Sequence, residues 1–162
     1  MPKIVAIESF LVPPRWLFVR IEADDGAVGW GEASLEGHAE AVAGALDAAR
    51  DRLIGHDPHR IEDAWQTLYR LGFYRGGPVL MSAMSGIDQA LWDLRGRALG
   101  VPVSDLLGGR LRDRIRVYAW IGGDRPDDVA AAAKARADQG FDAVKMNGTE
   151  DMDWLAGPAA TA

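Results

Sequence analysis

Alternating apolar and polar residues open the chain and predict β-strands. Residues 3–12, KIVAIESFLV, are rich in β-branched side chains, and two further apolar segments lie on either side of Asp25-Gly26 in residues 16–34. An Asp-Gly pair between two apolar runs is typical of a β-hairpin. We therefore predict a short antiparallel meander of three strands.

Three segments with helical spacing follow this meander. The first runs from His38 to Leu53, the second begins at Asp57-Pro58, where Asp57 can cap the helix, and the third runs from Pro78 to about Ala98. In each segment apolar residues recur every three or four positions, as on the buried face of an amphipathic helix. The apolar sets are Val42, Leu46, Ala49 and Leu53; Ile61, Trp65 and Leu68; and Leu80, Ala83, Ile87, Leu91 and Leu94.

The pattern changes near residue 112. Residues 115–123, IRVYAWIGG, and 141–146, FDAVKM, are apolar segments separated by a helical stretch. Strand, helix and strand in this order predict a βαβ unit with parallel strands. We expect an α+β domain over 1–112 and the incomplete start of an α/β domain over 113–162, with one more short helix at Met152–Ala156. Because two strands and one helix leave a sheet edge uncovered, we expect this to be the front part of a longer protein.

Composition narrows the functional classes. The 162 residues carry a net charge of −6 and no cysteine, which disfavours nucleic-acid binding and excludes disulfides and thiol chemistry. The start of the chain does not resemble a signal peptide, and no apolar run is long enough to span a membrane. The three histidines lack metal-ligand spacing. We therefore expect a cytoplasmic protein, without a metal site in this chain.

Two loops hold candidate binding residues. Arg15 and Trp16 follow Pro13-Pro14 between the first two strands, and an arginine there matches a carboxylate. The alternative is a rigid hairpin with a surface arginine and a packed tryptophan. Tyr74 and Arg75 lie in a glycine-rich loop between two helices, which suits an active-site lid. The alternative is a turn whose aromatic rings pack on the neighbouring helices.

A third candidate is the end of the last predicted strand. Lys145 and Asn147 are two residues apart, so their side chains would lie on the same side of a strand. The carboxyl ends of parallel strands are where α/β proteins place their chemistry, and a lysine there can stabilise a developing anion. The alternative is a lysine that extends to solvent.

Residues 86–109, GIDQALWDLRGRALGVPVSDLLGG, closely resemble the hinge between cap and barrel of the enolase superfamily, in its mandelate racemase and muconate lactonizing enzyme branch. The similarity covers about residues 1–150 and is greatest to sugar-acid dehydratases. It implies an α+β N-terminal capping domain over 1–112, followed by the first βαβ unit of a truncated (β/α) TIM-type barrel over 113–162. It also implies a homo-oligomeric enzyme that removes water from a small-molecule sugar acid with Mg²⁺, whose ligands lie outside this chain.

The same resemblance suggests roles for the strand end. Many members have Lys-x-Lys there, with the second lysine as base, whereas this chain has Lys145-Met146-Asn147. The resemblance therefore implies that Lys145 acts electrostatically, that Asn147 offers hydrogen bonds to substrate, and that the base lies elsewhere. Arg15, Trp16, Tyr74 and Arg75 would bind substrate. The alternatives are another acid-sugar dehydratase or racemase of the branch, or a non-catalytic chain that assembles with partners.

Overall fold

The computed structural model describes residues 1–70, 72–123 and 125–146 of the chain. Its contacts divide the chain into two compact units, Met1–Arg110 and Leu111–Ala162. The first unit combines an antiparallel sheet with helices, and the second has two short parallel strands and a helix between them. The predicted fold class, an α+β domain followed by a βαβ unit, is confirmed.

The first unit begins with a three-stranded antiparallel sheet. Its strands are β1 (Ile4–Val12), β2 (Trp16–Ala23) and β3 (Val28–Glu32), in the order β1-β2-β3. The turn between β2 and β3 contains Gly26, whose φ of 84° is a left-handed conformation that glycine adopts without steric cost. The predicted meander and its Asp-Gly turn are confirmed.

The helices of this unit are α1 (Ala39–Leu53), α2 (Ile61–Arg70), α3 (Pro78–Leu99) and the short α4 (Val103–Leu106). The ends of α1 and α3 are within one residue of the prediction. The predicted start of α2 is wrong, because Asp57 Oδ1 accepts the N–H of His59 at 2.9 Å and stabilises a separate turn before Ile61. The sequence pattern does not predict α4, which has only four residues.

The hydrophobic core lies between one face of the sheet and the helices. On β2 every second side chain, Leu17, Val19 and Ile21, is fully buried. The helices add buried residues from their predicted apolar faces: Val42, Leu46, Leu53, Ile61, Ala83, Ile87, Leu91 and Leu94. Ala49, Trp65 and Leu68 of the predicted faces are half-buried, and Leu80 is exposed because it lies in the first turn of α3 beside an open cleft.

Helix α3 lies unusually close to strand β3 because glycines occupy the contact. A Cβ atom added to Gly31 would lie 2.0 Å from the backbone oxygen of Gly86, and one added to Gly29 would lie 2.0 Å from that of Ala90. A Cβ atom on Gly86 would lie 2.6 Å from Cβ of Ala33. Any larger side chain at these glycines would force the helix away from the strand.

Polar side chains of α3 cover the outer edge of β3. Gln89 Oε1 accepts the N–H of Glu32 at 3.1 Å, and Gln89 Nε2 donates to the backbone oxygen of Glu32 at 3.1 Å. Asp93 Oδ2 accepts the N–H of Trp30 at 2.9 Å. Since an uncovered edge strand can pair with another chain, these bonds protect the sheet as well as fixing α3.

One half-buried carboxyl group lies on α3. Burial raises the pKa of Asp88, and the negative charge of Glu62 on α2 raises it further. The ionised form of Asp88 is therefore less favourable in the folded chain than in the unfolded one.

The second unit contains β4 (Ala119–Trp120), α5 (Pro126–Asp138) and β5 (Val144–Lys145), and its strands pair in parallel. This confirms the predicted βαβ arrangement. The predicted strand lengths are wrong, because only two residues of each apolar segment form backbone pairs. Neighbours such as Val117 remain exposed. In the described part of this unit each strand has a single neighbour, which supports less pairing than an extended sheet does.

The predicted helix at Met152–Ala156 lies outside the described residues. Within the described ranges, no helix is both long enough and apolar enough to cross a lipid bilayer.

Candidate active site

The turn between β1 and β2 places Arg15 beside two possible partners. A cis peptide bond joins Pro13 and Pro14, and Val12 pairs with Trp16 where the strands resume. Arg15 Nη1 donates to Glu36 Oε1 at 2.8 Å, and the Arg15 guanidinium carbon lies 5.3 Å from the centre of the Trp16 ring system. The structure therefore brings Arg15 and Trp16 together and adds a carboxylate to them.

Glu36 is the residue that sequence reasoning missed at this place. It lies 21 positions from Arg15, in the segment that follows β3. No local motif connects the two positions, since the contact depends on how the antiparallel strands are aligned. The side chains of Arg15 and Glu36 are 53% and 79% exposed, so solvent and solutes can reach both charges.

The loop between α2 and α3 presents its aromatic residues to solvent. Phe73 and Tyr74 are 93% and 85% exposed. Their rings contact each other edge to face, with centroids 5.3 Å apart. This arrangement differs from the alternative in which both rings pack on the neighbouring helices, and it leaves the Tyr74 hydroxyl accessible.

Tyr74 and Arg75 line one cleft of about 200 Å³ between α1, α2 and α3. The floor is mainly apolar and includes Leu80 and Met84, while Arg52 adds a second guanidinium. The structure thus brings Tyr74 and Arg75 together, at the opening of an apolar cleft. Arg15 and Trp16 do not line this cleft.

A second concavity lies next to the segment that leads to Glu36. It is a groove of about 260 Å³ between the end of β3 and the start of α3, lined by Glu32, Ala33, Ser34, Pro78, Met81, Ser82 and Ser85. Three hydroxyl groups and a carboxylate make it more polar than the cleft. Such a lining suits a ligand that carries hydroxyl groups.

Lys145 is the last residue of β5, at the carboxyl end of a strand in a parallel pair. The N–H of Ile121 donates to the backbone oxygen of Lys145 at 2.9 Å, which fixes the backbone at this strand end. The position agrees with the one from which the sequence analysis expects chemistry. Asn147 lies outside the described residues, so its place beside Lys145 stays a prediction.

An ion pair connects the segments that enter the two parallel strands. Arg116 Nε donates to Asp142 Oδ1 at 3.0 Å, and this hydrogen bond holds the pKa of Asp142 below its usual range. Arg116 comes before β4 and Asp142 before β5, so this ion pair joins the two segments just before the residues whose backbones pair.

Magnesium, which the resemblance implies, does not fit the described residues. In residues 1–70, 72–123 and 125–146 no three His, Cys, Asp or Glu side chains are grouped so that they could hold a metal ion. Mg²⁺ prefers oxygen ligands in octahedral geometry, and that set is not assembled in this part of the chain.

Comparison with known families decides where the chain belongs. Residues 4–108 match the sequence model of the mandelate racemase / muconate lactonizing enzyme N-terminal domain. The chain belongs to this family. The match covers the three-stranded sheet and all the helices of the first unit, so the predicted family is confirmed.

Curated relatives extend the similarity beyond that domain. The chain is 58% identical over 150 residues to D-galactonate dehydratase of Pectobacterium atrosepticum, which covers 93% of this chain and 39% of the relative. It is 53% identical over 158 residues to D-galactonate dehydratase of Variovorax paradoxus, which covers 98% of this chain and 41% of the relative. The chain therefore spans about two fifths of the length of these relatives.

Solved structures show the same architecture. An enolase from Pantoea ananatis, crystallised with bound D-gluconate and Mg, has a TM-score of 0.84 at 37% identity and covers 91% of this chain and 37% of its own. A member of the enolase superfamily from Salmonella Typhimurium has a TM-score of 0.82 at 34% identity and covers 91% of this chain and 42% of its own. The similarity of fold extends beyond the N-terminal domain to the start of the second unit.

Proposed function

We propose that the full-length protein is a sugar-acid dehydratase that removes water from D-galactonate and gives a 2-keto-3-deoxy acid. The observation that carries this proposal is 58% identity, over 93% of the chain, to relatives named D-galactonate dehydratase. In this proposal, residues 1–112 are a capping domain, and residues 113–162 are the first βαβ unit of a (β/α) TIM-type barrel.

Lys145 has the electrostatic role in the proposed reaction. Removal of the proton next to the carboxylate places a second negative charge on the substrate, and a cation at the end of β5 would stabilise it. Asn147 would donate hydrogen bonds to the same part of the substrate. Neither residue is the base in this proposal, since the Asn147 amide does not take up a proton and Lys145 has the electrostatic role.

The capping domain would recognise the end of the sugar acid that carries only hydroxyl groups. Arg15 and Tyr74 can form hydrogen bonds with hydroxyls, and Trp16 can pack against the carbon chain. Arg75 is exposed beside Tyr74 and supplies a further donor. Exposure of these groups in the present structure supports the proposal, because a substrate could reach them.

We also propose Mg²⁺ as a cofactor of the full-length protein, held by residues outside the described part. Support comes from the Pantoea ananatis enolase, which was crystallised with D-gluconate and Mg. We further propose that the full-length protein is cytoplasmic and forms homo-oligomers. It would bind a small sugar acid and no nucleic acid.

D-gluconate is a second candidate substrate, favoured by the ligand of that same structure. The two acids differ in the configuration at a single carbon, so a site built for one could accept the other.

Kinetic measurements on the full-length protein test the proposal. We expect formation of the 2-keto-3-deoxy acid from D-galactonate with Mg²⁺, and a lower kcat/KM for D-gluconate. The reverse preference would make gluconate the substrate. Absence of turnover with both acids and with a wider panel of sugar acids would reject the dehydratase assignment.

A further inference from the structure

The turn between β1 and β2 and the segment after β3 bring three different recognition groups to one place. Arg15 Nη1 lies 2.8 Å from Glu36 Oε1, and the guanidinium of Arg15 lies over the ring of Trp16. Arginine offers only donors, an ionised glutamate offers only acceptors, and tryptophan offers an apolar face. We call these three residues the Arg15–Glu36–Trp16 cluster.

Backbone hydrogen bonds fix the two segments that carry the cluster. Leu17 is completely buried; its oxygen accepts the N–H of Ala33 at 2.8 Å, and its N–H donates to Ser34 Oγ at 2.9 Å. Glu36 follows two residues later, in a turn where Gly37 has a φ of 76°. Because Leu17 bonds to both Ala33 and Ser34, the backbone that leads to Glu36 lies next to the β1–β2 turn, and the exposed Glu36 carboxylate reaches Arg15 from there.

This combination matches the chemistry of a polyol. Each hydroxyl group both donates and accepts a hydrogen bond, so an arginine alone leaves the hydroxyl hydrogen without a partner. A neighbouring carboxylate accepts that hydrogen, and the bond is strong because one partner is charged. An indole ring covers the C–H groups between the hydroxyls. Two exposed charges and one partly exposed ring thus provide donor, acceptor and apolar surface together.

We propose that Glu36 is a specificity-determining residue, which accepts a hydrogen bond from the terminal hydroxyl of the sugar acid within the Arg15–Glu36–Trp16 cluster. This inference rests on the proposed function, and it names the part of the substrate that the cluster recognises. The negative charge of Glu36 also disfavours a second carboxylate at that end of the ligand, by like-charge repulsion. The cluster should therefore select acids that end in a hydroxyl over acids that carry a carboxylate at both ends.

Three substrates test this selectivity in the full-length protein. D-galactonate has the terminal hydroxyl, 6-deoxy-D-galactonate lacks it, and D-galactarate replaces it by a carboxylate. The test variant is Glu36→Gln, which keeps size and polarity but removes the charge. The matched control is Glu40→Gln, an exposed glutamate in the first turn of α1.

We expect Glu36→Gln to raise KM for D-galactonate about five- to tenfold, as for loss of a partly exposed charged hydrogen bond, with kcat changed by less than about twofold. The preference for D-galactonate over the 6-deoxy acid and over D-galactarate should shrink by a similar factor. Glu40→Gln should leave all three KM values unchanged. If Glu36→Gln behaves like Glu40→Gln, the Arg15–Glu36 contact is a surface ion pair only and the inference is wrong.

A binding measurement keeps the inference separate from the dehydratase assignment. Saturation-transfer NMR on the same protein shows which D-galactonate protons contact it, whether or not turnover occurs. We expect transfer to the terminal CH₂ protons in the unmodified protein and its loss in Glu36→Gln. No transfer to these protons in the unmodified protein would overturn the inference, even if the dehydratase activity is present. If turnover is absent but saturation transfer to the terminal CH₂ protons remains, the dehydratase assignment is rejected and the inference on Glu36 is retained.

Discussion

Replacement of Gly31 by alanine tests the backbone contact between α3 and β3. The added Cβ atom would lie 2.0 Å from the backbone oxygen of Gly86 and 2.9 Å from the backbone nitrogen of Ala90. Neither atom can move independently, because both belong to the middle of a 22-residue helix. The clash can be relieved only if α3 and β3 separate.

Three contributions set the expected size of the effect. Overpacking of this kind costs about 1–3 kcal/mol. Separation would also weaken the hydrogen bonds from Gln89 and Asp93 to β3, each worth about 0.5–1.5 kcal/mol. Alanine restricts the unfolded chain more than glycine does, which offsets about 0.4–1 kcal/mol. The partial loss of these hydrogen bonds and the restriction of the unfolded chain act in opposite directions and are of similar size. We therefore expect the free energy of unfolding to fall by about 1–3 kcal/mol, a large part of a typical total of about 5–15 kcal/mol.

Urea unfolding followed by circular dichroism measures this change, and Gly44→Ala is the matched control. Gly44 lies on the exposed side of α1, and a Cβ atom there would meet nothing within 4 Å. Because alanine favours a helix interior, this substitution should raise the free energy of unfolding by about 0.5–1 kcal/mol. The same chemical change should thus have opposite signs at the two sites. If the free energy of unfolding of Gly31→Ala equals or exceeds that of the unmodified protein, the packing argument is refuted.

Further predictions concern pH and catalysis. Asp142 has a lowered pKa in the folded chain and its ion pair with Arg116 is exposed, so Asp142→Asn should lower the urea midpoint only slightly at neutral pH and lose this effect as the pH falls through the folded pKa; equal effects at neutral and acid pH would contradict it. Asp88 has a raised pKa in the folded chain, so Asp88→Asn should raise the urea midpoint at neutral pH, and this increase should vanish below the pKa that Asp88 has in the unfolded chain; a lower midpoint at neutral pH would contradict the prediction. In the full-length protein, Lys145→Met should lower kcat by about 100-fold or more, whereas Arg15→Ala should raise KM more than it lowers kcat. Near-normal kcat in Lys145→Met would leave Lys145 without an electrostatic role.

Elements with a strong local pattern were predictable from the sequence. Asp25-Gly26 defines the β2–β3 hairpin, and the apolar spacing of α1 and α3 gives their limits to within one residue. Local rules suffice here because the turn requires glycine, and each helix buries one continuous face. The start of α2 was less predictable, because Asp57 stabilises a separate turn and not the helix itself.

Features that depend on tertiary contact were not predictable. Gly29 and Gly31 weaken a strand by local rules, and only the position of α3 explains why this strand needs them. The apolar segments around Ala119 and Val144 suggest long strands, yet only two residues of each segment form backbone pairs. This is because pairing depends on neighbouring strands and not only on propensity. The resemblance in residues 86–109 predicted the family, which the match over residues 4–108 confirms.

Glu36 shows why a recognition residue can escape both sequence reading and stability measurement. An ion pair as exposed as Arg15–Glu36 contributes about 0–1 kcal/mol to folding, so its loss should hardly change the free energy of unfolding. Yet the pair lies where two segments joined by hydrogen bonds meet, with a tryptophan ring beside it. Since stability gives little reason for this arrangement, an effect of Glu36→Gln on KM without an effect on unfolding would report recognition directly. The same reasoning distinguishes the cap, whose exposed side chains would set binding, from the strand end at Lys145, whose charge would act on the reaction itself.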